Sequence, residues 1–100
     1  MAIAEISIVP VGTNTPSVSQ YVAKAIRALG QQGGVKYKLT GMGTILEGNL
    51  TDVLEAVRGM HEAVFDTQIK RVVTSIRIDD RRDRESSIQR KVQSVTKKLA

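Results

Sequence analysis

From Ile3 to Val11 the even positions (Ala4, Ile6, Ile8, Pro10) are apolar. The odd positions mix Glu5 and Ser7 with Ile3, Val9 and Val11. Side chains alternate across a strand, so this period of two predicts a first strand with one face in a core and the other mixed. After the turn Gly12-Thr13-Asn14-Thr15-Pro16 the period lengthens. Val18, Tyr21, Val22, Ala25, Ile26 and Leu29 make one helical stripe, opened by a capping box Ser17-x-x-Gln20 and stopped by Gly30 and Gly33-Gly34.

Alternation returns in Val35-Lys36-Tyr37-Lys38-Leu39-Thr40, a strand with one wet face. Gly41-Met42-Gly43 is a tight connection to the returning strand Thr44-Ile45-Leu46-Glu47-Gly48, and the two form a hairpin. Asn49 or Thr51 opens a second helix, with Asp52 and Glu55 in its first turn beside the positive end of the helix dipole. Leu50, Val53, Leu54, Val57, Met60, Val64 and Phe65 supply its core side. Beyond Asp66-Thr67-Gln68, Val72, Thr74, Ile76 and Ile78 alternate with Arg71, Val73, Ser75, Arg77 and Asp79 as a last strand. The tail reads as one more helix. A capping box Ser86-x-x-Gln89 opens it, and Ile88, Val92, Val95 and Leu99 form a stripe only wide enough for a groove or a partner helix.

Strand–helix–strand crossovers are right-handed, and two of them flanking a hairpin put both helices on one sheet face. The chain order therefore specifies an α+β, ferredoxin-like βαββαβ sandwich of sheet order 4-1-3-2. Residues 3–80 form its core and 86–99 an extra C-terminal helix. The face without helices would present Ile3, Val9, Ile45 and Val73 beside Glu5, Ser7, Glu47, Ser75 and Arg77. Such a face is costly to leave in water and costly to bury alone. We expect a homodimer through it, with Glu5 or Glu47 paired to Arg77, and a tetramer through further contacts.

Composition narrows the function. One hundred residues fit a single domain, and with 41% hydrophobic but 3% aromatic residues the core must be aliphatic. Few aromatics also argue against base-stacking platforms. No cysteine is present, which excludes disulfides, thiol nucleophiles and cysteine-based zinc sites. The N-terminus lacks the basic and small-residue features of a signal peptide, and apolar runs fall short of the ~20 residues that span a bilayer. A cytoplasmic protein without membrane contact is expected. The net charge of +5 concentrates near the C-terminus, where Asp79, Asp80, Asp83 and Glu85 interleave with its first arginines. That pattern reads as a solvated helix face, and no nucleic-acid partner is expected.

Catalytic chemistry finds no support. His61 is the single histidine and sits at the edge of an apolar stripe, as a half-buried structural residue would. There is no triad, P-loop or pair of histidines at metal-ligand spacing. Asp79 and Asp80 are neighbours on a strand, so their side chains point apart. We expect no enzyme, no catalytic or metal-ligating residues and no cofactor. The topology does gather Thr13, Asn14, Thr15, Ser17 and Ser19 with Thr40, Met42 and Thr44, and with Gln68, Lys70 and Arg71, at one end. This hydroxyl- and amide-rich rim can hold a small polar ligand, or can consist of ordinary caps and turns.

Three stretches carry a resemblance. Val9-Pro10-Val11-Gly12-Thr13 followed by Ser17-Val18-Ser19-Gln20-Tyr21-Val22, the hairpin from Tyr37 to Gly48, and Arg71 to Asp83 together resemble the small thiamine-binding protein family. Gly41 departs from the pattern, since proline is expected there in many relatives. The resemblance implies a ferredoxin-like fold, oligomers of dimers, and binding of thiamine or its hydroxymethylpyrimidine portion without chemistry. It also implies ligand contacts from Ser17, Ser19 and Tyr21 on the first helix and from Met42, Thr44 and Glu47 on the hairpin. Glu47 is equally placed to pair with Arg77. Two other readings compete: a regulatory domain of the same topology sensing an amino acid, and, ranked last, a nucleic-acid binder using the basic tail helix.

Overall fold

The structure is a computed structural model that describes residues 1–100. Strand β1 spans Ala2–Val11, helix α1 Ser19–Leu29, β2 Lys36–Leu39, β3 Thr44–Gly48, α2 Leu50–Val64, β4 Arg71–Asp80 and α3 Ile88–Leu99. The four strands form one antiparallel sheet in the order β2-β3-β1-β4, the expected arrangement read from its other edge. The chain is a ferredoxin-like α+β sandwich with an added helix.

The alternation of β1 decides which way the sheet faces. Ala2, Ala4 and Ile6 are buried under α1 and α2, as are Thr44, Leu46 and Gly48 of β3. Leu29 from α1 and Val53, Met60 and Val64 from α2 close the aliphatic core over them. Each such side chain taken fully from water contributes about 1.5–3 kcal/mol. Ile69 also belongs to the core, with 1% exposure, although it lies in the loop before β4. The carboxylate of Asp66 fixes it there, accepting from the N–H groups of Gln68 at 2.8 Å and Ile69 at 2.7 Å. Those backbone bonds, with the Lys24 ammonium at 3.2 Å, hold the Asp66 carboxyl below its usual pKa.

The caps differ from the sequence expectations. Helix α1 begins at Ser19, its cap position is Val18, and no side chain caps it. Ser17 is instead part of a preceding turn, its N–H bonded to the Thr15 hydroxyl at 3.2 Å. At α3 the cap moves one residue along, with the Ser87 hydroxyl accepting from Arg90 N–H at 3.0 Å. Hydroxyl-x-x-glutamine spacing marks a helix start in both cases, but adjacent serines and a turn compete for the position. Asn49 caps α2 by accepting from Asp52 N–H. The whole of β2 is exposed, without the dry face its alternation suggests, because it is the sheet edge that the helices do not reach.

The other sheet face carries the expected mixture, with two revisions. Arg77 bonds Glu5 of its own chain at 3.0 Å, because the register places the two residues opposite each other. Nor is the face bare at one end. Ile3 lies between Glu47 and Asp79, and α3 starts over that row, Glu47 accepting from Ile88 N–H and Asp79 pairing with Lys91. Beyond its first turns α3 buries nothing. It accounts for the elongation of the molecule, 47 × 30 × 18 Å.

Candidate ligand-binding cavity

Strand β1 is longer than its partner β3. Their pairing ends at Ile6 opposite Thr44, whereas β1 continues to Val11 alongside β4. Beyond Ile6 the β2–β3 hairpin turns away from β1, knotted by Thr40. Its hydroxyl donates to Gly43 O at 2.8 Å and accepts from Met42 N–H at 3.4 Å. The turn passes so near β1 that a Cβ on Gly43 would sit 2.6 Å from the Ile6 carbonyl oxygen, so only glycine fits.

The gap between hairpin and β1 lies beneath α1 and forms a cavity of about 190 Å³. Its interior is apolar, with Ile6, Ile8, Ala25 and Met60, and Leu39 and Met42 stand at its mouth. Met42 is 91% exposed, a flexible thioether free to fold over whatever enters.

Four hydroxyl residues interrupt the apolar lining, Ser7 at its edge, Thr40 already bonded within the hairpin, and Tyr21 and Thr44. Tyr21 and Thr44 are each 5% exposed, and neither hydroxyl is among the side-chain hydrogen bonds that knit the molecule. No polar side-chain atom is sealed away without a partner, so both oxygens keep access to open space. A further polar resource is the backbone. On the side where β3 has ended, β1 is an open edge. By the alternation of an antiparallel strand, the backbone groups of Ile8, like the Ile6 carbonyl, turn toward the gap without a strand partner. No carboxylate, lysine or arginine lines the cavity. The arrangement can orient a flat, neutral, hydrogen-bonding ring, and offers nothing to neutralise a charge inside.

Of the six residues expected at a ligand site, the structure brings Tyr21, Met42 and Thr44 together at this cavity. Ser17 and Ser19 are exposed, 3.4 Å from each other through their hydroxyls, and line no part of it. Glu47 does not line this cavity either. Three strand residues past Thr44, it points to the opposite sheet face and caps α3 at 3.1 Å. Sequence reasoning missed the apolar walls, Ile8, Val18 and Val22 among them, because they are indistinguishable from core until strand lengths are known. His61 lies elsewhere, half-buried, with Nδ1 2.6 Å from the Thr74 hydroxyl and its ring edge-on to Phe65.

The molecule is thus a ferredoxin-like sandwich with a mostly apolar, ring-sized cavity at its hairpin end. Residues 4–96 match the family described as thiamine-binding protein, and the chain belongs to that family. A UPF0045 protein of Bacillus subtilis, YqgV, is 47% identical, over 99% of this chain and 98% of its own. The crystal structure of a hypothetical protein from Methanocaldococcus jannaschii superposes with a TM-score of 0.86 at 40% identity, covering 95% of each chain. A Thermotoga maritima protein assigned as a candidate for thiamine biosynthesis or salvage shares the fold, with a TM-score of 0.77 at 21% identity over 94% of this chain and 97% of that one.

Proposed function

We propose that this protein binds thiamine, or its hydroxymethylpyrimidine portion, in the hairpin cavity and releases it unchanged, as a cytoplasmic binding protein and not an enzyme. The observation that carries the reading is the pair of buried, unpartnered hydroxyls, Tyr21 and Thr44, in a mostly apolar cavity of about 190 Å³. A cavity of about 150 Å³ accommodates benzene, so one substituted six-membered ring fits and a second ring must remain in the mouth. The aminopyrimidine suits the interior, where the hydroxyls and the β1 backbone groups can meet its ring nitrogens and amine. The cationic thiazolium belongs outside, near Met42, in water. Family membership and the thiamine assignment of the Thermotoga maritima protein support the choice of ligand.

The same reading includes a homodimer through the helix-free sheet face, and a tetramer by further contacts. Val9 and Val73, paired neighbours on that face, are 49% and 46% exposed, and a second copy would cover them. Isothermal calorimetry with thiamine and with hydroxymethylpyrimidine tests the ligand. Saturable binding of both, with mass-identical ligand recovered, is expected. Absence of heat with either, alongside a thermal shift from an amino acid, would replace this reading with the sensing domain. Sedimentation tests the assembly, and a monomer at micromolar concentration would remove it.

A further inference from the structure

Residues 84–100 hold five cationic side chains against one carboxylate, and so carry four of the five net positive charges of the chain. The structure sorts these charges in a way the sequence does not. Every arginine just before α3 that has an aspartate within reach uses it: Arg81 with Asp83, Arg82 with Asp80. Lys91 takes Asp79. Arg84, Arg90, Lys97 and Lys98 make no ion pair, although the charge of Arg84 helps lower the Asp83 pKa, and the guanidinium of Arg90 reaches only the Glu85 carbonyl oxygen. These four side chains, with Gln93 and Ser94 between them, line one open groove that has no apolar and no acidic residue. We propose that this groove binds the phosphodiester backbone of a nucleic acid, without reading its sequence.

Helix geometry favours this occupant. Arg90 and Lys97 are seven residues apart, so they share one side of α3 at a separation of about 10.5 Å along the axis. The apolar stripe of Val92, Val95 and Leu99 lies on the other side. A helix lying on a membrane sinks a broad apolar face rich in leucine and aromatic side chains beneath a cationic polar face. Here α3 offers lipid only Val92, Val95 and Leu99, with no aromatic residue. A single small phosphate is no better match, because the groove is open and made of exposed side chains that cannot enclose one ion. An extended polyanion gains from each cation in turn. With no aromatic residue in α3 there is nothing to stack on bases, so affinity rests on charge and sequence goes unread.

Fluorescence anisotropy of a labelled single-stranded RNA of mixed sequence, followed from ~50 to ~200 mM salt, tests the proposal. The variant pair Arg84→Gln with Lys97→Gln is compared with Lys36→Gln with Lys38→Gln, an equal charge loss on exposed β2. The wild type is expected to bind with a steep salt dependence. In the α3 pair the log–log slope should fall by about 1.4, two single-strand phosphate contacts, while the β2 pair keeps the wild-type slope. The pair Arg90→Gln with Lys98→Gln repeats the measurement on independent positions, and circular dichroism confirms that each variant is folded. Equal losses in the α3 and β2 pairs would reduce the effect to overall charge and overturn the proposal. So would no binding at low salt, full displacement of the RNA by tripolyphosphate at equal phosphate, or tighter binding to anionic vesicles.

Discussion

The Glu47 carboxylate accepts the backbone N–H of Ile88 at 3.1 Å, joining the end of β3 to the start of α3 across 41 residues of sequence. It is a long-range helix cap. The first N–H groups of a helix have no partner within it, and a negative charge there also meets the positive end of the helix dipole. Together with the Lys91–Asp79 pair, this contact is what sets the direction in which α3 leaves the domain.

Removing that charge should therefore loosen α3 and leave the ligand site alone. For Glu47→Gln, faster amide hydrogen exchange at residues 88–91 is expected, equivalent to about 1 kcal/mol of local stability. Thiamine affinity by calorimetry should match the wild type. A clear loss of affinity would return Glu47 to the site.

How far this was legible beforehand differs between fold and site. Element order, sheet order and the helix-facing side of β1 follow from periodicity alone, since even positions of Ala2–Val11 alternate without error through Ile6. The cavity was only half visible. Tyr21, Met42 and Thr44 were named from the resemblance, but the walls depend on β1 outrunning β3, a difference of strand lengths that no local pattern states. Glu47 stands apart from the cavity for a related reason. Its strand parity puts it on the far face from Thr44's neighbours, and its actual partner is a backbone N–H with no sequence signature. Ile69 escaped notice because Asp66, three residues earlier, fixes its loop through side-chain-to-backbone bonds.

Two glycines in one turn should respond oppositely to alanine. A Cβ at Gly41 meets nothing within 4 Å and its φ is negative, so Gly41→Ala should stabilise the protein by about 0.4–1 kcal/mol through the unfolded chain. A Cβ at Gly43 would lie 2.6 Å from the Ile6 carbonyl oxygen. Gly43→Ala must push the hairpin from β1, costing about 1–3 kcal/mol as overpacking does and reshaping the cavity. Denaturant unfolding of the two variants measures both signs.

Asp66 gives the acid limb of stability a specific origin. Its pKa is lowered first by the Ile69 N–H, then by Gln68 N–H and Lys24, so the folded state favours the carboxylate. The stabilisation is fully present above the unfolded value of about 3.9 and fades as pH falls through the lower folded value. Asp66→Asn keeps an oxygen acceptor but loses the charge. The variant should be less stable than wild type at neutral pH, and the difference should shrink below about pH 4. A pH series of thermal melts would show a constant gap if another group were responsible.

The hydroxyls of Tyr21 and Thr44 separate binding from folding most cleanly. Neither has an intramolecular partner, so Tyr21→Phe and Thr44→Val remove no hydrogen bond from the fold and should leave its stability nearly unchanged. Both delete a group that a ligand ring would use. Each net hydrogen bond contributes about 0.5–1.5 kcal/mol, so thiamine affinity should weaken by about 2- to 12-fold per variant. If the two hydroxyls hold the same ring, the double variant should show losses that are not additive, because one missing contact lets the ring shift from the other. Calorimetry on the two single variants and the double, with thermal melts alongside, reads both quantities. Unchanged affinity in all three would move the ligand out of this cavity.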